Sequence, residues 1–318
     1  MPPVLRRVLL RLAIFVASLA IASVLIFVLC WVLPGDLAQV ILGANADPAA
    51  VEAMRRRLGL DQPLPQRYWE WVSGMLRGDF GTSLLSRRSV TSQIAPRLGV
   101  TAWLVGLGMV AAILIAVPVG MLAAVRRRHL DGVVLSALSQ VGLAIPAFWA
   151  GIMAIYLFAV KLRWLPPNGY VPLTRDPSGW ASHLVLPVLA LAVVQASVLV
   201  RYVRSATLEV LTEDYYRTAR AIGWRQLPAL FRHGLRNASL SVVTVLGLQL
   251  ATLLVGAIVV ETVFSLPGLG SLLLTATSQR DLVVVQGTVM LLAFAVLLIN
   301  TLVDLSYLLL DPRLRTNR

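Results

Sequence analysis

Side chains able to make or break covalent bonds are few in this 318-residue chain. Lys161 is the only lysine and is followed by Leu162, so no Gly-x-x-x-x-Gly-Lys-[Ser/Thr] loop exists to cradle nucleotide phosphates. The same scarcity removes a Schiff-base amine from the apolar segments, and no G-x-S-x-G elbow or H-E-x-x-H pair occurs. One cysteine, Cys30, excludes an internal disulfide, and with His129, His183 and His233 it makes a poor structural zinc set. Flanked by Leu29 and Trp31, Cys30 reads as a buried apolar side chain. What remains is a set of uncharged polar residues inside long apolar runs: Ser139, Gln140, Gln195, Ser197, Gln249 and Thr252. Polar groups in lipid are costly and tend to face a bundle interior or cavity, so these six are candidates for a translocation pathway. The same residue types also hydrogen-bond between packed helices, and both readings stay open for each.

The elements that position them are set by composition. Hydrophobic residues make up 58% of the chain and charged residues 14%, with a mean hydropathy of +0.80, well above a soluble domain at about 45–50% apolar. The solvent is lipid. A net charge of +13 could suggest nucleic acid, but the arginines flank apolar runs rather than coat a water-exposed face, which excludes that partner.

A spanning helix needs about 20 apolar residues, because its backbone must be satisfied internally. Six segments qualify: Leu12–Leu33, Gly99–Val125, Gly132–Val160, Leu184–Val200, Asn237–Val260 and Leu282–Val303. The first is longer than a signal-peptide core and is read as a retained helix. Expected, then, is an all-α integral membrane fold of six transmembrane helices. Residues 1–98 would form the first helix plus an extracytoplasmic region, and residues 99–318 a five-helix core.

Arginine placement sets the orientation. With the N-terminus inside, the inner segments hold Arg6, Arg7, Arg11, Arg126, Arg127, Arg128, the arginines from Arg201 to Arg236, and Arg313, Arg315 and Arg318. The two short outer loops hold only Lys161, Arg163, Arg175 and Arg280. Both termini are expected in the cytoplasm. Pro118, Pro146 and Pro187 fall within or near span ends, where each removes a backbone donor and can kink a helix.

Two loops exceed what a connector needs. Pro34–Leu98 carries Tyr68, Trp69, Trp71 and turn pairs such as Pro34-Gly35, the marks of a small folded or interfacial element. The inner loop 201–236 places Leu208, Leu211, Tyr215, Ala219 and Ile222 three and four apart, along one stripe of an amphipathic helix. Gly223 follows where a left-handed C-terminal glycine would turn the chain, and a second short helix can begin near Pro228. Small residues Ala219, Ala221 and Gly223 permit close approach of a partner. An apolar stripe with basic flanks suits both partner docking and lipid headgroups, and the pattern alone does not separate them.

The segment YYRTARAIG at 215–223 resembles the EAA loop of binding-protein-dependent ABC importer permeases, although the family's Glu-Ala-Ala falls on Arg217, Thr218 and Ala219. LGLDQPL at 58–64, RGDFGTSL at 77–84, RHGLRNA at 232–238, ETVFSLPGLG at 261–270 and LDPRLR at 310–315 resemble, in the same order, the dipeptide/oligopeptide branch with its nickel and glutathione relatives. The resemblance covers almost the whole chain. It implies that Tyr215, Tyr216, Arg217, Thr218, Ala219, Ala221 and Gly223 couple to a cytoplasmic ATPase. It also implies contacts with a binding protein at Asp61, Gln62, Asp79, Phe80, Glu261 and Phe264. The partners it implies are a homologous permease, two ATPases and an extracytoplasmic solute-binding protein, with short peptides crossing the bacterial inner membrane. No cofactor is expected on this chain, since ATP would be bound and hydrolysed by partner subunits. A nickel or glutathione importer of the same family, or an ion-coupled secondary carrier, is the alternative. A carrier of the latter kind usually needs ionisable groups at mid-membrane depth, where this chain has few.

Overall fold

A computed structural model describes residues 3–32, 42–43, 46–57, 61–230, 232 and 235–310. The turn pair Pro34-Gly35, the basic residues Arg313, Arg315 and Arg318, and most of the motif at 310–315 lie outside the described residues. The described chain is helical: α1 (Pro3–Val32), α2 (Pro48–Arg57), α3 (Leu64–Leu76), α4 (Val90–Val125), α5 (Leu130–Ala144) and α6 (Ala147–Ala154), which runs into a π-helical segment Ile155–Lys161. There follow α7 (Pro177–Val210), α8 (Asp214–Ala221), α9 (Gln226–Ala229), α10 (Leu235–Val263), α11 (Leu269–Ser278) and α12 (Leu282–Leu310). The β pairing among the described residues is one isolated bridge, Thr82 to Ser89.

Among the described residues, five helices are long and apolar enough to cross a membrane, and a sixth crossing exists if a bent pair counts as one span. The bent pair corrects the expected continuous span Gly132–Val160. α5 and the helix from Ala147 bend by 102° at Ile145, which is extended (ψ 119°), and Pro146. A residue before proline is pushed out of the helical region, and Pro146 starts a new helix where its missing N–H costs nothing.

Other expected bounds were too short. α4 begins at Val90 rather than Gly99, and α7 runs from Pro177 to Val210 rather than 184 to 200. At 1.5 Å per residue these helices are about 54 and 51 Å long, well beyond a hydrocarbon core of about 30 Å. The hydropathy of the sequence marks only the apolar run within each helix, which in α7 is mostly buried among its neighbours. Asp176 caps α7, accepting from the Ser178 backbone amide at 3.0 Å and hydroxyl at 2.7 Å; these bonds hold its carboxyl below the usual carboxylate range.

The chain divides into two compact units, Met1–Leu12 with Val100–Pro267 and Leu298–Arg318, and Ala13–Gly99 with Gly268–Leu297. The first is built around α7, whose Leu186, Ala190, Leu191 and Leu199 pack with Leu104 and Ala112 of α4 and Leu253, Ala257 and Val260 of α10. Small residues let the helices close: a Cβ on Gly142 of α5 would stand 2.0 Å from Ser197 Oγ of α7. In the same unit Arg11 of α1 pairs with Asp304 of α12 at 2.5 Å. The second unit gathers Ile26 and buried Cys30 of α1, Val90 and Ile94 of α4, and Leu269, Leu272, Val284 and Val285. Tyr68 of α3 meets Phe27 edge-to-face and Trp71 packs tilted against it, and Ser83 donates to buried Asp281 at 2.5 Å. Residues 61–89 thus pack with this unit's helices, whereas 90–98 are the first turns of α4.

Candidate functional site

The α7 stalk carries a compact element at its end. α7 stops at Val210, residues 211–213 turn, and α8 starts at Asp214, whose acidic side chain suits a helix N-terminus. The single amphipathic helix expected from Leu208 through Ile222 is therefore two helices with a turn between them. The apolar stripe changes accordingly. Val210, Tyr216 and Ala219 are buried against Met121, Val203, Ala229 and Leu230, whereas Ile222 is 72% exposed.

The outward face of α8 is presented by Arg217, Thr218, Arg220, Ala221 and Ile222, all exposed, with Tyr215 half-buried. Thr218 Oγ1 donates back to the Asp214 carbonyl at 2.9 Å. Arg217 lies 3.9 Å from the exposed Asp214 carboxylate, a surface pair of small worth. Burial pushes the Tyr216 phenol up, so it remains a protonated donor. At the other end Gly223 has φ +95°. Its N–H bonds to the Arg220 carbonyl and the Trp224 N–H to the Ala219 carbonyl, at 3.1 and 3.2 Å. This pair of bonds is the Schellman arrangement, which satisfies the last carbonyls and ends the helix sharply. Arg220 Nη1 donates to the Trp224 carbonyl at 2.6 Å, and Arg232 sits 5.6 Å above the Trp224 ring. The short helix expected near Pro228 is α9, which begins at Gln226.

The six polar span residues all belong to the first unit. Ser139 donates to the Ser136 carbonyl at 2.8 Å, Ser197 to Val193 at 2.8 Å and Thr252 to Gln249 at 2.9 Å. Each of these bonds stays within one helix, so these hydroxyl bonds do not join helices. Gln195 is 5% exposed, and its Nε2 has no hydrogen-bond partner among the described residues. A buried unsatisfied donor costs about 1–3 kcal/mol, and Gln195 is the one of the six that carries such a donor among the described residues. Gln140 is exposed and Gln249 half-buried.

Of the residues expected to meet a binding protein, Asp61, Gln62 and Asp79 are exposed, and Asp79 Oδ1 accepts from the Gly81 amide at 2.9 Å. Phe80 is half-buried and packs with the second unit's core. Glu261 and Phe264 offer no surface: they are 0% and 1% exposed. Glu261 instead accepts the Thr101 hydroxyl at 2.6 Å, and the Phe264 carbonyl accepts from the Gly169 amide at 3.0 Å. Both side chains are interior, while Thr262, Ser265 and Pro267 of the same motif are exposed. The Thr101–Glu261 partnership spans 160 residues, so no local spacing announces it.

Two sequence profiles cover nearly all of this architecture: the binding-protein-dependent transport system inner membrane component matches residues 116–316, and its membrane-component N-terminal region matches residues 4–105. The chain belongs to this family. It is 42% identical over 311 residues to the glutathione transport system permease protein GsiC of Salmonella choleraesuis (strain SC-B67), covering 98% of this chain and 99% of that one. GsiC of Escherichia coli (strain K12) is 41% identical over 305 residues, covering 96% and 97%. Among solved structures, an inward-facing form of the MetNI methionine ABC transporter matches with a TM-score of 0.56 at 20% identity, covering 66% of this chain and 93% of that one. That likeness shows a fold shared with a chain of that transporter. The protein is accordingly a multi-pass permease subunit of an ABC importer, which works with ATPase subunits and a binding protein.

Proposed function

We propose that this permease forms half of a pathway for short peptides of about glutathione's size across the bacterial inner membrane. It would pair with a homologous permease, seat its α8 and Gly223 turn in one of two ATPases, and receive solute from an extracytoplasmic binding protein. Both termini and α8 would then lie in the cytoplasm, in keeping with the arginine distribution. The observation that carries the reading is the near full-length identity to glutathione permeases, and the exposed face of α8 on a rigid, capped turn supports it. ATP-driven approach of the two ATPases would move the docked helices and tilt the spans as rigid bodies. No nucleotide would bind this chain, which lacks a phosphate-loop lysine.

The test is uptake by proteoliposomes holding the permease with its genetic-neighbour permease and ATPases, fed by the cognate binding protein. Labelled glutathione or a dipeptide should accumulate only with ATP. Uptake driven by an ion gradient without ATPase subunits would sink the proposal, and accumulation of a nickel chelate in place of peptides would overturn the substrate alone.

A further inference from the structure

A second feature lies beside α8, on its inward side. A cavity of about 340 Å³ opens between the α4–α5 connection and α8, walled by Arg127, Arg128, His129, Tyr216, Arg220 and Gln226. Every charged wall residue is basic, and no carboxylate lines it among the described residues. Of the neighbouring acids, Asp131 is paired with Arg126, Asp214 is fully exposed, 3.9 Å from Arg217, and Glu209 and Glu213 are outside the cavity lining. Arg127 and Arg128 are exposed, and neither side chain has an ion pair among the described residues. Arg220 gives one N–H to Trp224 and keeps the rest of its donor fork. The Tyr216 hydroxyl is buried without a hydrogen-bond partner. Concentrated, uncompensated donors of this kind attract an anion that accepts several hydrogen bonds at once.

The surroundings narrow the anion further. α4 ends at Val125, and α5 begins at Leu130, which is 85% exposed and is followed by exposed Val133, Val134 and Leu138. The basic wall therefore stands at the ends of α4 and α5, beside exposed apolar residues of α5 suited to acyl chains.

We propose that this cavity binds a phosphate-bearing anion, held by Arg127 and Arg128 from one side and Arg220 from the other. Occupancy would tie the α4–α5 connection to α8 and so make the pose of the docking helix depend on the anion. The phosphate can be carried by an anionic lipid headgroup or arrive as a soluble anion, and the experiment separates the two.

The full-length permease is placed in nanodiscs of phosphatidylcholine or phosphatidylglycerol, and the lipid retained after detergent extraction is read by native mass spectrometry. Inorganic phosphate is titrated separately in phosphatidylcholine discs with thermal unfolding as the readout. Phosphatidylglycerol is expected to be retained by the native chain and to fall at least about tenfold in R127Q/R128Q, the loss of two interfacial charges. R6Q/R7Q, which removes as much charge elsewhere, should retain it. Q226E, which sets a negative charge in the wall at a helix start that tolerates it, should give the same loss. Protection by inorganic phosphate that R127Q/R128Q abolishes, without lipid retention, assigns the site to a soluble anion. If neither probe distinguishes the native chain from both R127Q/R128Q and Q226E, or R6Q/R7Q loses as much lipid as R127Q/R128Q, the proposal is overturned.

Discussion

At Gly223 the backbone sits at φ +95°, and no atom lies within 4 Å of where a Cβ would stand. A side chain there meets conformational strain and no clash. Asn, which tolerates the left-handed region, should largely preserve the turn, whereas β-branched Val should cost about 1–2 kcal/mol and loosen the end of α8. The readout is ATPase activity stimulated by loaded binding protein in the assembled importer: G223N near native, G223V clearly lower. Equal losses in both would mean that the backbone conformation is not what matters. This glycine was legible in the sequence because a helix end and a glycine are local features. Glu261 was not. Its role depends on Thr101 across the fold, and an acidic residue in a recognised motif looks exposed until its burial is seen. T101V should remove a hydrogen bond to the carboxyl and destabilise the solubilised protein by about 1.5–3 kcal/mol, with T101S restoring it; unchanged unfolding temperatures for T101V would refute the bond's contribution.

Among elements, hydropathy located the spans but not their ends, since α4 and α7 continue as helix past their apolar runs. It also could not show the bend at Ile145–Pro146, because apolarity runs unbroken through the break. The amphipathic period misled in the inner loop: spacings of three and four continue across Thr212 and Glu213, yet the chain turns there and starts α8 anew. Periodicity reports which face is apolar and is blind to a change of axis. Close helix contact is more local in its demands. G142A would bring a Cβ to 2.9 Å from Ser197 Cβ and 2.0 Å from its Oγ, so overpacking between α5 and α7 should cost about 1–3 kcal/mol in thermal unfolding. Removing the obstacle in G142A/S197G should recover most of that loss; no recovery would place the cause elsewhere than this contact.

For the whole molecule, the bent α5–α6 pair decides which face α8 occupies. If the pair crosses the bilayer, the connection at Arg126–His129 and α8 lie on the same side, with the segment between Trp164 and Asp176 on the other. If the pair returns to its starting side, α7 carries α8 to the opposite face. Neither 15-residue half is long enough to span about 30 Å alone, so helix length does not choose. Charge does. A returning pair would separate Arg126, Arg127 and Arg128 from Arg217, Arg220, Arg225 and Arg232 by the full membrane, and would put one basic cluster on the outer face. It would also pull apart Arg127 and Arg220, which wall one cavity. Single cysteines measure this directly in a C30A background, where the one native thiol, already buried, is gone. H129C and R217C should react with a membrane-impermeant maleimide only when the cytoplasmic face is open, and L173C only from the outside. Labelling of H129C and R217C from opposite faces would overturn the six-span arrangement, and with it the docking of α8 to an ATPase on the side where ATP is made.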